Sequence, residues 1–140
     1  MSYEDLVKKH EAEFNSFSKD NIFWLFGSKE QALNKLAEAG LTVDDVVNIY
    51  SGGYLRKTKI AEYEALVDKQ EKEKHEYLLN NVYEVVLYYL WNYEAEISLS
   101  YSYHDIIYKL VGLSEQEVEE NKVDVAKAIA DYREEFYKLN

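Results

Sequence analysis

The chain contains no cysteine and no proline, and only five glycines among its 140 residues. Without cysteine there is no disulfide, no thiolate nucleophile and no cysteine-based metal site, a composition suited to a reducing compartment. Without proline, and with so little glycine, there is no flexible linker to mark a boundary. Residues 1–140 therefore read as a single domain, of a size that buries a core without staples. No apolar run approaches the roughly 20 residues of a membrane span. The opening stretch MSYEDLVKKHEAE lacks the build of a signal peptide, so the expected setting is a cytoplasm. Bases are scarce too: 16 lysines and arginines face 27 acids, a formal net charge of −11. Direct binding to a phosphate backbone is disfavoured, because that affinity comes from lysine and arginine displacing counterions.

What is present is apolar and aromatic. Hydrophobic residues make up 47% of the chain and 14 are tyrosines, enough to drive folding. The acidity is uneven. Residues 1–57 carry nine acids and seven bases, residues 58–93 seven and four, and residues 94–140 eleven and five. An acidic C-terminal third favours a basic protein partner electrostatically; equally, acidity keeps an aromatic-rich surface soluble.

Periodicity supplies the elements. SYEDLVKKHEAEFNSF places Leu6, His10, Phe14 and Phe17 at helical intervals. NIFWLF reads as a short buried strand ended by Gly27. Ser28 and Gln31 have the spacing of a capping box for a helix that Gly40 closes. VVNIY, SGGY and LRK read as two strands joined by a glycine turn. A long charged helix is expected around 59–79, opened by Thr58; its stretch DKQEKEKHE is polar on every side and has nothing to bury, so it projects into solvent or bridges packed parts. After Asn80-Asn81, residues 82–93 are apolar all round and read as a buried helix, with a strand as the alternative. In EISLSYSY, Ile97, Leu99, Tyr101 and Tyr103 alternate with serines, the pattern of a strand. Three helices complete the chain: HDIIYKLVG, SEQEVEEN with Ser114 and Glu117 as a capping box, and DVAKAIADYREEFYKL. The expected fold is α+β, a small antiparallel sheet of about three to four strands packed by several helices.

Candidate chemistry is thin. Glu71 and His75 lie four apart on the polar helix, too few ligands for a metal site, so neither metal nor cofactor is expected. Glu84, and Glu94 with His104, are the only acid–base candidates; no triad or metalloprotease spacing appears, and an enzyme is not expected. In SGGYLRKTK, Gly52 and Gly53 adjoin Arg56, Lys57 and Lys59, the one place where backbone amides and bases converge as for a nucleotide or small anion. The spacing is not that of a phosphate-binding loop, and a hairpin turn explains the same residues. Glu119, Glu120 and Asp124 form an acidic cluster offset only by Lys122. Such carboxylates either imitate a row of phosphates or form a solvated helix face.

The order IFWLFGSKEQ, GGYLRK, a long charged helix, and NYEAEIS leading to a helix that ends in Gly-Leu resembles a family of small uncharacterised proteins from phages and prophages of low-GC Gram-positive bacteria. The likeness runs over roughly residues 1–138 as an order of elements. Where that family carries a histidine after the asparagine, this chain has Tyr93. The resemblance implies a non-enzymatic inhibitor of host defence, of the anti-CRISPR type, acting in the host bacterial cytoplasm on a nuclease such as Cas9 or another basic protein. Its contact surface is expected to use Glu94, Tyr101, Tyr103, Glu119, Glu120 and Asp124. The alternative is a module that sequesters a nucleotide signal through Gly52, Gly53, Arg56, Lys57 and Lys59. A homo-oligomer is a third reading.

Overall fold

In the computed structural model, residues 1–49, 52–95 and 101–139 are described. They divide into two compact units, one of Glu4–Glu73 and one of Met1–Tyr3 with Lys74–Asn140. Helices dominate, and a three-stranded antiparallel sheet is present among the described residues.

The unit of Glu4–Glu73 takes most of α1 (Tyr3–Asn21), then β1 (Ile22–Trp24), α2 (Lys29–Glu38), β2 (Val46–Asn48), β3 (Gly53–Arg56) and the first part of α3 (Ile60–Asn80). The strand order is β1-β3-β2. Ile22 stands opposite Leu55 and Trp24 opposite Gly53 on one side of β3; Val46 faces Arg56 and Val47 faces Leu55 on the other. Period-two alternation buries Gly53 and Leu55 and leaves Tyr54 and Arg56 half-buried. Gly53 is glycine for a packing reason: a Cβ there would lie 2.9 Å from the Trp24 ring. Leu6, His10, Ile22, Leu36, Val46 and Leu55 are buried here.

The expected capping box is present at the start of α2. Ser28 Oγ accepts from the Gln31 amide, and the Gln31 side chain accepts from the Ser28 amide at 2.8 Å. The preceding Gly27 has φ +95, and a Cβ on it would collide with that Gln31 side chain, so turn and cap require glycine together. At the far end Gly40 donates to Ala37 and Leu41 to Leu36, closing the helix with a left-handed glycine.

The second unit holds the end of α3, α4 (Val82–Asn92), α5 (Tyr103–Asp105) running into a π-helical stretch Ile106–Val111, α6 (Glu115–Glu120) and α7 (Lys122–Leu139). α4 is a helix, as its all-round apolarity suggested, and Val82, Val85, Val86 and Leu90 are buried. It packs chiefly against α7, whose Val125, Ala128 and Tyr132 supply the facing surface. Burying a side chain of this size contributes about 1.5–3 kcal/mol. α7 lies on the face expected from its period.

Three expectations need correction or qualification. Of the alternating stretch, residues 97–100 lie outside the described residues, but Tyr101 and Ser102 are not in a strand and Tyr103 opens a helix. Ser102 is the reason: its hydroxyl accepts from the Asp105 amide as an N-cap. The start of α3 follows a 3-10 turn at Lys57–Lys59 instead of a Thr58 cap. Of the two readings of the polar run of α3, projection into solvent does not describe Lys69, Gln70 and Glu73, which meet α1 through hydrogen bonds and ion pairs within their unit.

Candidate functional site

The acidic cluster sits where α6 gives way to α7. Ser114 caps α6, accepting from the Glu117 amide while Glu117 accepts from the Ser114 amide at 3.0 Å. Glu117 also faces His75 Nε2 at 3.1 Å. The bond from the Ser114 backbone, the largest cause, and the nearby His75 hold the Glu117 carboxyl below the usual carboxylate range. That acid is therefore structural. Glu119, Glu120 and Asp124 are all exposed. Glu119 has a solvent-facing partner in Lys122 at 3.1 Å, and Glu120 accepts from Gln116 at 2.8 Å. Such an exposed ion pair holds its carboxylate only weakly. Val123, beside Asp124, is 74% exposed, so the junction presents an aliphatic side chain among carboxylates.

The expected contact tyrosines are more deeply engaged. The Tyr101 ring lies 5.0 Å from Tyr93, which stacks on Tyr89 at 6.0 Å. Tyr89 and Tyr3 share a hydroxyl–hydroxyl hydrogen bond of 2.7 Å, and Tyr88 meets Tyr3 edge-on at 5.0 Å. Burial, reinforced by the bond to Tyr89, pushes the Tyr3 hydroxyl far above the ordinary phenol range; burial raises Tyr89 as well. Tyr103 stands edge-on to the buried Tyr132. Aromatic pairs in this geometry stabilise the core by about 0.5–1.5 kcal/mol each. Tyr101 and Tyr103 remain half-buried, with part of each ring available to solvent.

Glu94 is exposed and has φ +44, the one non-glycine residue in the left-handed region among those described. Its amide donates toward Trp91 and the next amide, Ala95, donates to Leu90. This is the closure of a helix C-terminus in which glycine is the usual occupant. Glu84, the other acid in the apolar run, accepts from the Tyr3 backbone amide at 2.6 Å and from the Tyr77 hydroxyl. That is a capping role. The His104 ring lies 4.6 Å from Tyr108.

Around β3, two of the candidate anion residues, Arg56 and Lys59, have other partners. The Arg56 Nε donates to the Asp20 carbonyl at 2.9 Å, and its guanidinium lies 5.4 Å over the Phe23 ring. Lys59 pairs with Glu62 at 3.2 Å. Gly52 has φ +80 and Gly53 is covered by Trp24. Lys57 is exposed and draws the Asp45 carboxyl down slightly, the larger causes there being bonds from Thr42.

The group that sequence reasoning missed lies on α1 and α3 within one unit. His10, Glu13 and Glu73 place one ligand atom each within 4.8 Å of one another. His10 is 7% exposed and its Nε2 is 3.1 Å from Glu73. Lys9 reaches Glu73 at 3.2 Å; Lys69 reaches Glu13 at 2.6 Å and Glu73 at 3.5 Å. The bond from His10, then that from Lys9, pulls the Glu73 carboxyl down to about 2. Glu13 is lowered as well, chiefly by Lys69. The available signal was His10 at an apolar position of the α1 period, three residues before Glu13. Its third member is 63 residues away in sequence, and no local pattern points to it.

No curated protein and no solved structure matches the chain. Residues 2–135 match a family of unknown function, DUF7659. The match covers nearly the whole sequence, and the chain belongs to that family.

Proposed function

We propose that the protein is a non-enzymatic binding module that engages a basic surface of a host nuclease, with Cas9 as the leading candidate, and obstructs its access to nucleic acid. The observation that carries this reading is the α6–α7 junction, where Glu119, Glu120 and Asp124 are exposed and Val123, next to Asp124 in sequence, is 74% exposed. Carboxylates steer a basic partner and fix its register, while an apolar side chain at the centre supplies desolvated contact. The unit that carries the junction has thirteen acids and six bases, against fourteen and ten in the other. The choice of a nuclease follows the resemblance to small phage proteins. Glu94, Tyr101 and Tyr103 belong to the same unit and are included in the proposed contact.

Mixing the purified protein with candidate Cas nucleases and measuring complex formation and DNA cleavage tests the reading. Binding with loss of cleavage is expected; neither binding nor protection with any of them removes it. The second reading, a nucleotide or small-anion module at Gly52–Lys59, has less to draw on, because Arg56 and Lys59 already have partners. Thermal stabilisation by a nucleotide that disappears in Arg56→Ala would favour it. Sedimentation addresses a homo-oligomer.

A further inference from the structure

Among the described residues, one buried side-chain polar atom has no hydrogen-bond partner: Nδ1 of His10. In its neutral form an imidazole carries a single ring proton, so one nitrogen donates and the other holds a lone pair. With Nε2 facing the Glu73 carboxylate at 3.1 Å, the proton resides on Nε2 and the Nδ1 lone pair meets nothing. The His10 ring is more than nine-tenths buried, and Glu13 of the same helix and Glu73 of α3 place their carboxylates within 4.8 Å of it.

We infer that His10, Glu13 and Glu73 form a divalent transition-metal site of the Zn²⁺ type. One imidazole and two carboxylates are a donor set that suits zinc and leaves at least one position open to water. Zinc bonds of about 2.0–2.2 Å put neighbouring ligand atoms roughly 3–3.5 Å apart; His10 Nε2 and Glu73 Oε2 already stand at 3.1 Å. Metal binding through Nε2 gives up the bond to Glu73 and leaves the ring proton on Nδ1, an N–H that must then be matched by a water. Lys9 and Lys69 occupy the carboxylates in the metal-free protein. Both side chains are about half exposed, 46% and 53%, so they swing into water at little cost. The lysines thus act as competing cations, and the site exchanges an ammonium for a metal ion.

Titration of the full-length protein with ZnCl₂ by calorimetry, with Co²⁺ visible absorption as a second readout, tests the inference. About one ion per chain is expected, with Glu13→Gln and Glu73→Gln each weakening binding at least about tenfold. Lys69→Ala should tighten it by removing the competitor. Glu119→Gln with Glu120→Gln should leave it unchanged. His10→Gln is the most direct variant; should it unfold, the two glutamate variants, checked for folding by circular dichroism, carry the test. No binding by the folded wild type, or binding that survives both glutamate variants, overturns the site. So does binding lost only with the surface acids.

Discussion

The carboxylate of Glu84, in the first turn of α4, accepts a 2.6 Å hydrogen bond from the backbone amide of Tyr3, the first residue of α1. An acid 81 residues away thereby serves one of the unsatisfied amides at a helix start, a place where negative charge is favoured. Glu84→Leu keeps the apolar volume and removes the acceptor. It should destabilise by about 1–3 kcal/mol, read as a lower urea midpoint with an unchanged slope.

Glu94 holds a left-handed conformation that favours glycine. Glu94→Gly should raise stability by up to about 1 kcal/mol, measured by chemical denaturation. The same variant should weaken binding to the proposed basic partner, so that stability and affinity move in opposite directions. A destabilised Glu94→Gly would mean that the carboxylate has a structural role.

Acid stability follows from Glu73, whose carboxyl lies near 2 in the folded protein against an ordinary value of 4.5. A depressed carboxyl stabilises the fold above its unfolded value and loses that contribution as protons bind on the way down. Stability should therefore fall as pH drops from about 4.5 toward 2. Glu13, Asp131 and Glu117, all held low, add to the same slope. Glu73→Gln should flatten the profile in this window, seen as a smaller change in melting temperature with pH.

Tyr83 donates to Asp131 at 2.6 Å while Lys127 lies 4.2 Å over its ring. The bond to Asp131 is the main cause that raises the Tyr83 hydroxyl and also the main cause that lowers Asp131. Tyr83→Phe should lower the melting temperature slightly near neutrality, the bond being screened by solvent. In the wild type this contribution is present between about pH 4, where an unfolded Asp131 is ionised, and pH 10. It is lost as pH rises through the elevated Tyr83 value and as it falls through the depressed Asp131 value, so the two proteins should converge in strong alkali and in strong acid.

Reversing charge with Glu119→Lys, Glu120→Lys and Asp124→Lys should leave the melting temperature within a few degrees, since all three acids are exposed. Affinity for the proposed partner should drop and become less dependent on salt. Titration at two ionic strengths checks both.

Much of the helical framework was legible because its signals are local. Ser28 with Gln31 and Ser114 with Glu117 are three residues apart, and each forms the reciprocal cap that spacing implies. The apolar surround of residues 82–92 required burial, and α4 is buried. The serine–tyrosine alternation misled at its end, because Ser102 served as a helix cap, a use of serine that period-two counting does not weigh. The meeting of α1 with α3 was illegible for another reason. Hydrophobic period marks Phe17 and Tyr63, whose rings meet at 6.2 Å, but the rest of this face is joined by Lys69–Glu13, Gln70–His10 and His10–Glu73. Polar docking of this kind depends on partners dozens of residues apart. The acidic junction was visible as composition; the exposure of Val123 within it was not.

The two tryptophans fall one to a unit, Trp24 against Gly53 in the sheet and Trp91 edge-on to Tyr132 between α4 and α7. Each indole sits against a contact that unfolding destroys, so each should change its emission when its own surroundings melt. Trp91→Phe leaves a chromophore that follows the strands, and Trp24→Phe leaves one that follows the C-terminal helices. Superimposed melting curves would make the chain a single cooperative unit; separated curves would assign each transition to its unit. The protein carries its own pair of optical reporters, and no label has to be attached to read them.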